Sequence, residues 1–162
     1  MSDTGLGDPG AADPLGEGAL DFWIGEWLLS WAGGGEGTNR IQRILGDRVI
    51  EESFEGRDPD GSLHGRSVSV RDVADGRWRQ TWVDSNGAYL ELVGVEVDGR
   101  IGFQRETTID GRPVVQRMVW LDVSDGAFRW QWQRSHDGGD SWTVVWEIDY
   151  RRAPGVEAVR PR

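Results

Sequence analysis

Two carboxylates and two guanidiniums stand in strand-like phase with large apolar side chains along this chain. Asp84 follows Trp78, Gln80 and Trp82 at two-residue steps, Glu52 lies between Ile50 and Phe54, Arg105 follows Ile101 and Phe103, and Arg134 follows Trp130 and Trp132. Residues two apart share one face of a β-strand. A carboxylate set among apolar walls is pushed toward its neutral form and can then act as a general acid or base. Asp84, Glu52 and Arg105 are therefore the candidate catalytic residues. The plainer reading is structural. A buried charge must be paired, so Asp84 or Glu52 could pair with Arg105 or Arg134 and serve only the fold. The functional reading is a polar cluster that orients a ligand at the end of an aromatic cavity. Both stay open at this level.

Other chemistry is excluded by composition. There is no Cys, which removes disulfides, thiolate catalysis and thiolate-bound metals. All 18 basic residues are Arg, so a lysine Schiff base is also excluded; Arg without Lys fits a GC-rich bacterial genome. The net charge of −10 argues against nucleic acid or an anionic membrane as partner. Asp137-Gly138-Gly139-Asp140 resembles a fragment of a calcium loop but lacks the other ligands, and reads better as a hairpin turn. Gly33-Gly34-Gly35-Glu36-Gly37 has no helix after it to hold a phosphate. Neither a metal site nor a cofactor is expected. No basic start precedes an apolar run, and no stretch is long and apolar enough to span a membrane, so a cytoplasmic location is expected.

The ten Trp are the second chemical feature. Trp78 and Trp82, Trp120, Trp130 and Trp132, and Trp142 and Trp146 fall on alternating runs, with mostly polar residues between them. Each such strand has one aromatic face and one wet face. Facing a common space, these side chains either fill it or line a site for something flat and apolar. The candidate ligand-binding residues are Trp78, Gln80, Trp82, Asp84, Trp120, Trp130, Trp132, Arg134, Trp142 and Trp146. Trp23, Trp27 and Trp31 read as packing residues.

What must position these groups is a series of short strands. Asp-Gly and Asn-Gly pairs recur at 75–76, 86–87, 98–99, 110–111, 125–126 and 137–138, and such pairs favour tight hairpins. They predict about ten strands, over 26–32, 37–45, 48–55, 63–73, 77–84, 89–97, 100–109, 114–123, 127–135 and 142–151. Consecutive hairpins imply an all-β, antiparallel up-and-down barrel, with a short helical turn within 15–22. The Gly-, Asp- and Pro-rich 1–19 reads as a disordered tail, 20–153 as the barrel and 154–162 as a C-terminal tail.

Two stretches carry a resemblance. Phe22-Trp23-Ile24-Gly25-Glu26-Trp27 places a Gly-x-Trp at the mouth of the first strand and resembles the opening of lipocalins and the wider calycin group. That resemblance implies that Trp27 plugs one barrel end and that Arg151 or Arg152 stacks on it. The chain from about residue 20 is also similar to a bacterial lipocalin-like family of unknown function, through the same opening, Trp82-Val83-Asp84-Ser85, and the late turn from Ser135 to Trp142. It implies a barrel and little about activity. Nitrobindin-type haem barrels are cousins of this group, but the two His, His64 and His136, lie at a strand start and in a turn, away from the aromatic faces.

Three functions remain in view. The first is binding of a small apolar molecule, aromatic or polyene-like, between Trp walls, its polar end fixed by Asp84, Gln80, Arg105 or Arg134. The second is a cofactor-free cyclase, isomerase or hydratase using acid–base catalysis in the same cavity. The third is a structural or interaction module with a solid Trp core. A homodimer is compatible with each.

Overall fold

A computed structural model of the chain describes residues 13–155. Ten strands follow a short 3-10 turn at Asp21–Trp23: β1 Gly25–Trp31, β2 Gly35–Ile44, β3 Val49–Asp58, β4 Gly61–Arg71, β5 Trp78–Asp84, β6 Tyr89–Val97, β7 Arg100–Ile109, β8 Arg112–Leu121, β9 Ala127–Ser135 and β10 Thr143–Arg152. Each pairs antiparallel with its sequence neighbours, and β1 pairs with β10, so the sheet closes into an up-and-down barrel. This is the all-β architecture expected from the sequence, and it is consistent with a lipocalin-like fold. Closure removes both sheet edges. None of the described helices is long and apolar enough to cross a membrane.

The turns show why these residues form hairpins. Between β6 and β7, Val97 pairs with Arg100 across Asp98 (φ 48°) and Gly99 (φ 81°). Between β7 and β8, Ile109 pairs with Arg112 across Asp110 (φ 52°) and Gly111 (φ 75°). Two consecutive positive φ angles define the tight turn that matches strand twist, and Asp-Gly tolerates them best. β6 pairs with β7 only over Val93–Val97, so Tyr89 to Leu92 and Arg105 to Ile109 do not meet across that joint.

One end of the barrel is closed by the N-terminal segment. Leu20 and Trp23 are buried there with Trp27, Trp120 and Phe128. Trp27 Nε1 donates to the Trp23 carbonyl at 2.9 Å, and Trp78 Nε1 donates to the Gly16 carbonyl at 2.9 Å. Of the two arginines considered from sequence, Arg152 is the one over Trp27, 4.3 Å from the ring centroid, with Nη1 donating to the Ile24 carbonyl at 3.0 Å. Gly25, the first residue of β1, has a φ of 141°, and a Cβ there would also collide with that guanidinium, so the strand opens on Gly. Residues 13–19 belong to this closure rather than to a tail, because Leu15 and Ala19 pack on the core. The remainder of the expected tails, 1–12 and 156–162, lies outside the described residues.

Candidate functional site

The period-two pattern sends Glu52 and Phe54 of β3, Trp82 and Asp84 of β5, Trp130 and Trp132 of β9, and Trp146, Ile148 and Tyr150 of β10 to one interior cavity of about 170 Å³. Leu63, Leu90 and Met118 complete the wall, and Trp23 reaches it from the closed end. The Trp residues thus fill the closed end and leave a space above it. The rings of this upper region meet at steep angles: Trp146 stands at 89° to Trp130 and 90° to Trp31, while Phe54 stands at 73° to Trp82 and 75° to Trp146. Edge-to-face contacts of this kind fix ring planes, and here they build box-like walls.

A buried polar group sits behind the wall. Glu52 Oε2 accepts from Asn39 Nδ2 at 2.6 Å, and Glu52 Oε1 accepts from Ser67 Oγ at 2.7 Å. Asn39 Nδ2 also donates to the Tyr150 hydroxyl at 3.1 Å, and Asn39 Oδ1 is buried with no partner among the described residues. Burial drives the Glu52 carboxyl above its ordinary value of 4.5, and the bonds from Asn39 and Ser67 oppose that rise without cancelling it. Tyr150 is raised well above 10, first by burial and then by the Glu52 charge. Phe128 stacks on Tyr150 at 4.5 Å and holds its ring in place.

Asp84 also faces the cavity, but its oxygens are committed. Oδ2 accepts from Trp82 Nε1 at 2.8 Å, while Oδ1 accepts from the backbone of Asn86 at 2.9 Å and Ala88 at 3.2 Å. It organises the β5–β6 turn and fixes the Trp82 indole. Neither Asp84 nor Glu52 is ion-paired with Arg105 or Arg134. Arg105 Nη1 instead donates to Gln116 Oε1 at 2.9 Å. Arg134 lies beside Gln116 in register, with its Nε buried and without a partner among the described residues. The expected pairs fail because Glu52 sits mid-barrel on β3, near donors from β2 and β4, whereas Arg105 and Arg134 line up on β7 and β9.

Of the other candidates, Trp82, Trp130, Trp132 and Trp146 line the cavity together. Trp78 and Trp120 point inward but belong to the packed closed end, Trp120 lying 5.4 Å from Trp23. Gln80 is buried, donating to Ser69 Oγ at 2.9 Å, and its Oε1 has no partner among the described residues. Trp142 stands outside the barrel, with the Arg117 guanidinium 3.8 Å from its ring centroid. Its assignment to the inner face is corrected by a β-bulge between Val144 and Trp146: Val144 pairs with outward Gln133, Trp146 with inward Trp132. The extra residue shifts the phase.

Asn39, Ser67 and Tyr150 were not among the sequence candidates. Tyr150 was visible in phase with Trp146 and Ile148, but Asn39 and Ser67 are small polar residues whose partners lie on other strands. Among the described residues, no group of three or more His, Asp or Glu side chains could hold a metal ion. A larger hollow of about 590 Å³ lies on the wet outer surface, lined by charged groups such as Glu36, Arg57 and His64. The interior cavity is the one with apolar walls and a few convergent polar groups, the usual make-up of a small-molecule site. No protein-family model matches the chain, and no curated protein sequence matches it.

Proposed function

We propose that the barrel binds a small, mostly apolar molecule of about one ring in the cavity between β3, β5, β9 and β10. The observation that supports this is the 170 Å³ of space walled by Trp82, Trp130, Trp132 and Trp146, with Glu52 and Tyr150 as its polar end. Size favours one member of the expected ligand class. An apolar cavity of about 150 Å³ accepts benzene, so the volume suits a single ring with a short substituent and is too small for an extended polyene. On this reading the chain belongs with the bacterial lipocalin-like proteins it resembles, and a net charge of −10 keeps it off nucleic acid and anionic membranes.

The test uses toluene as probe. Replacing Trp82 and Trp130 with Ala removes two walls and is expected to weaken toluene binding by at least about tenfold, while far-ultraviolet circular dichroism still reports β-sheet. A folded double variant that binds toluene as the parent does would refute the reading.

A second reading rests on the buried Glu52 carboxyl. An acid held neutral in a cavity can donate a proton to a bound substrate, as the cyclase, isomerase or hydratase alternative requires. Turnover that vanishes in Glu52→Gln would favour it.

A further inference from the structure

The cavity wall carries two carboxyl groups, Glu52 and Asp84, and no Arg or His. Asp84 is held by the Trp82 indole and by two backbone amides, so it stands as a fixed carboxylate at the upper part of the cavity. Glu52 has a donor on each oxygen, Asn39 Nδ2 and Ser67 Oγ, and forms no salt bridge among the described residues. With a donor in reach of each oxygen, the ionised carboxylate would find two hydrogen bonds in place, although burial favours the neutral acid when the cavity holds no cation. The charge those donors would stabilise has no counter-charge within salt-bridge distance among the described residues.

The groups packed around Glu52 bear this out strand by strand. From β2 the inward neighbours are Asn39 and Ile41, and the charged residue further down that face, Arg43, is bound to Asp21 at the closed end. From β4 the neighbour is Ser67, with Arg71 at the far end of the strand. Across from them, β10 brings Tyr150 and β5 brings Asp84. Arg105 and Arg134 on β7 and β9 are not part of the wall. The remaining wall is aromatic, and indole faces attract a desolvated cation more strongly than phenyl faces do.

We propose that the ligand of this cavity is an organic ammonium on a single-ring frame, with the cation enclosed by the indole box and its charge matched by Glu52. This rests on the cavity being the binding site, as argued above. The bound cation stabilises the ionised carboxylate, so at acid pH, where burial keeps Glu52 protonated, binding displaces that proton. Affinity then rises with pH until Glu52 is ionised in the free protein. The net charge of −10 also draws cations toward the molecule.

Benzylammonium and benzyl alcohol are the probes, nearly equal in shape and different in charge. Isothermal titration calorimetry with the whole chain, in buffers of different ionisation heat, gives affinity and protons released together. Benzylammonium is expected to bind at least about tenfold tighter than benzyl alcohol, to bind more tightly as pH rises, and to release a proton on the acid side. Glu52→Gln is expected to abolish the proton release and the preference for benzylammonium over benzyl alcohol. Benzyl alcohol binding as tightly as benzylammonium, or no proton released, overturns the inference and leaves the cavity reading intact. Neither probe binding overturns both. The proton count on the parent protein decides the matter even if the Gln variant does not fold.

Discussion

Glu52 concentrates most of what a single residue contributes here. Its carboxyl is raised above 4.5 in the folded protein chiefly by burial. Above that pH the unfolded chain gives up the proton while the folded chain keeps it. Stability is therefore lost as pH climbs from 4.5 through the raised folded value. Glu52→Gln removes this dependence, so in urea titrations the variant is expected to gain on the parent as pH rises through that window. Asp137 has the opposite sign. Bonds from the Ser141 hydroxyl and amide hold it at about 2 instead of 3.8, so its contribution is present above 3.8 and fades as pH falls toward about 2. Comparing variant with parent cancels it. Glu52 was legible in sequence because Ile50 and Phe54 flank it in phase, yet its partners were not. Period counting assigns a face on one strand, whereas register assigns the neighbour, and register places Asn39 beside Phe54 and Ser67 beside Glu52.

Among elements, the β4–β5 pair controls the width of the cavity. Gly65 pairs with Asp84, and a Cβ at Gly65 would collide with the Trp82 ring. Gly65→Ala is expected to push that indole from its place against Phe54 and lower toluene affinity, read by titration, with a stability loss of about 1–3 kcal/mol from overpacking. The β9–β10 pair shows where sequence reading fails. Ten strands could be counted because Asp-Gly and Asn-Gly mark most hairpins, but a bulge has no such mark. Val144-Val145 looks like any β-branched step, and Trp142 was therefore put on the wrong face. Trp142→Ala is expected to leave toluene affinity within about twofold of the parent, since that ring stacks with Arg117 outside the barrel.

The whole molecule is a cylinder stoppered at one end. Trp27 is buried and bonded to the Trp23 carbonyl, with Arg152 across its face. Trp27→Ala is expected to cost about 3–5 kcal/mol in chemical unfolding, the range for deleting a buried aromatic side chain. Removing residues 1–23 should likewise lower the unfolding midpoint, since it uncovers Trp78 and Trp120. The stopper was legible from the Gly-x-Trp opening; the space above it was not, because its volume depends on how the seven lining aromatic rings tilt. The short pairing of β6 with β7 has a mechanical meaning for such a vessel. The β1–β10 ladder is shorter still, at four positions, but β6 also meets β5 over only five, so β6 is the stave held by the shortest two ladders taken together. Tyr89 to Leu92 keep their pairing with β5 when β6 parts from β7, and that parting would open a way for a guest through the side of the barrel.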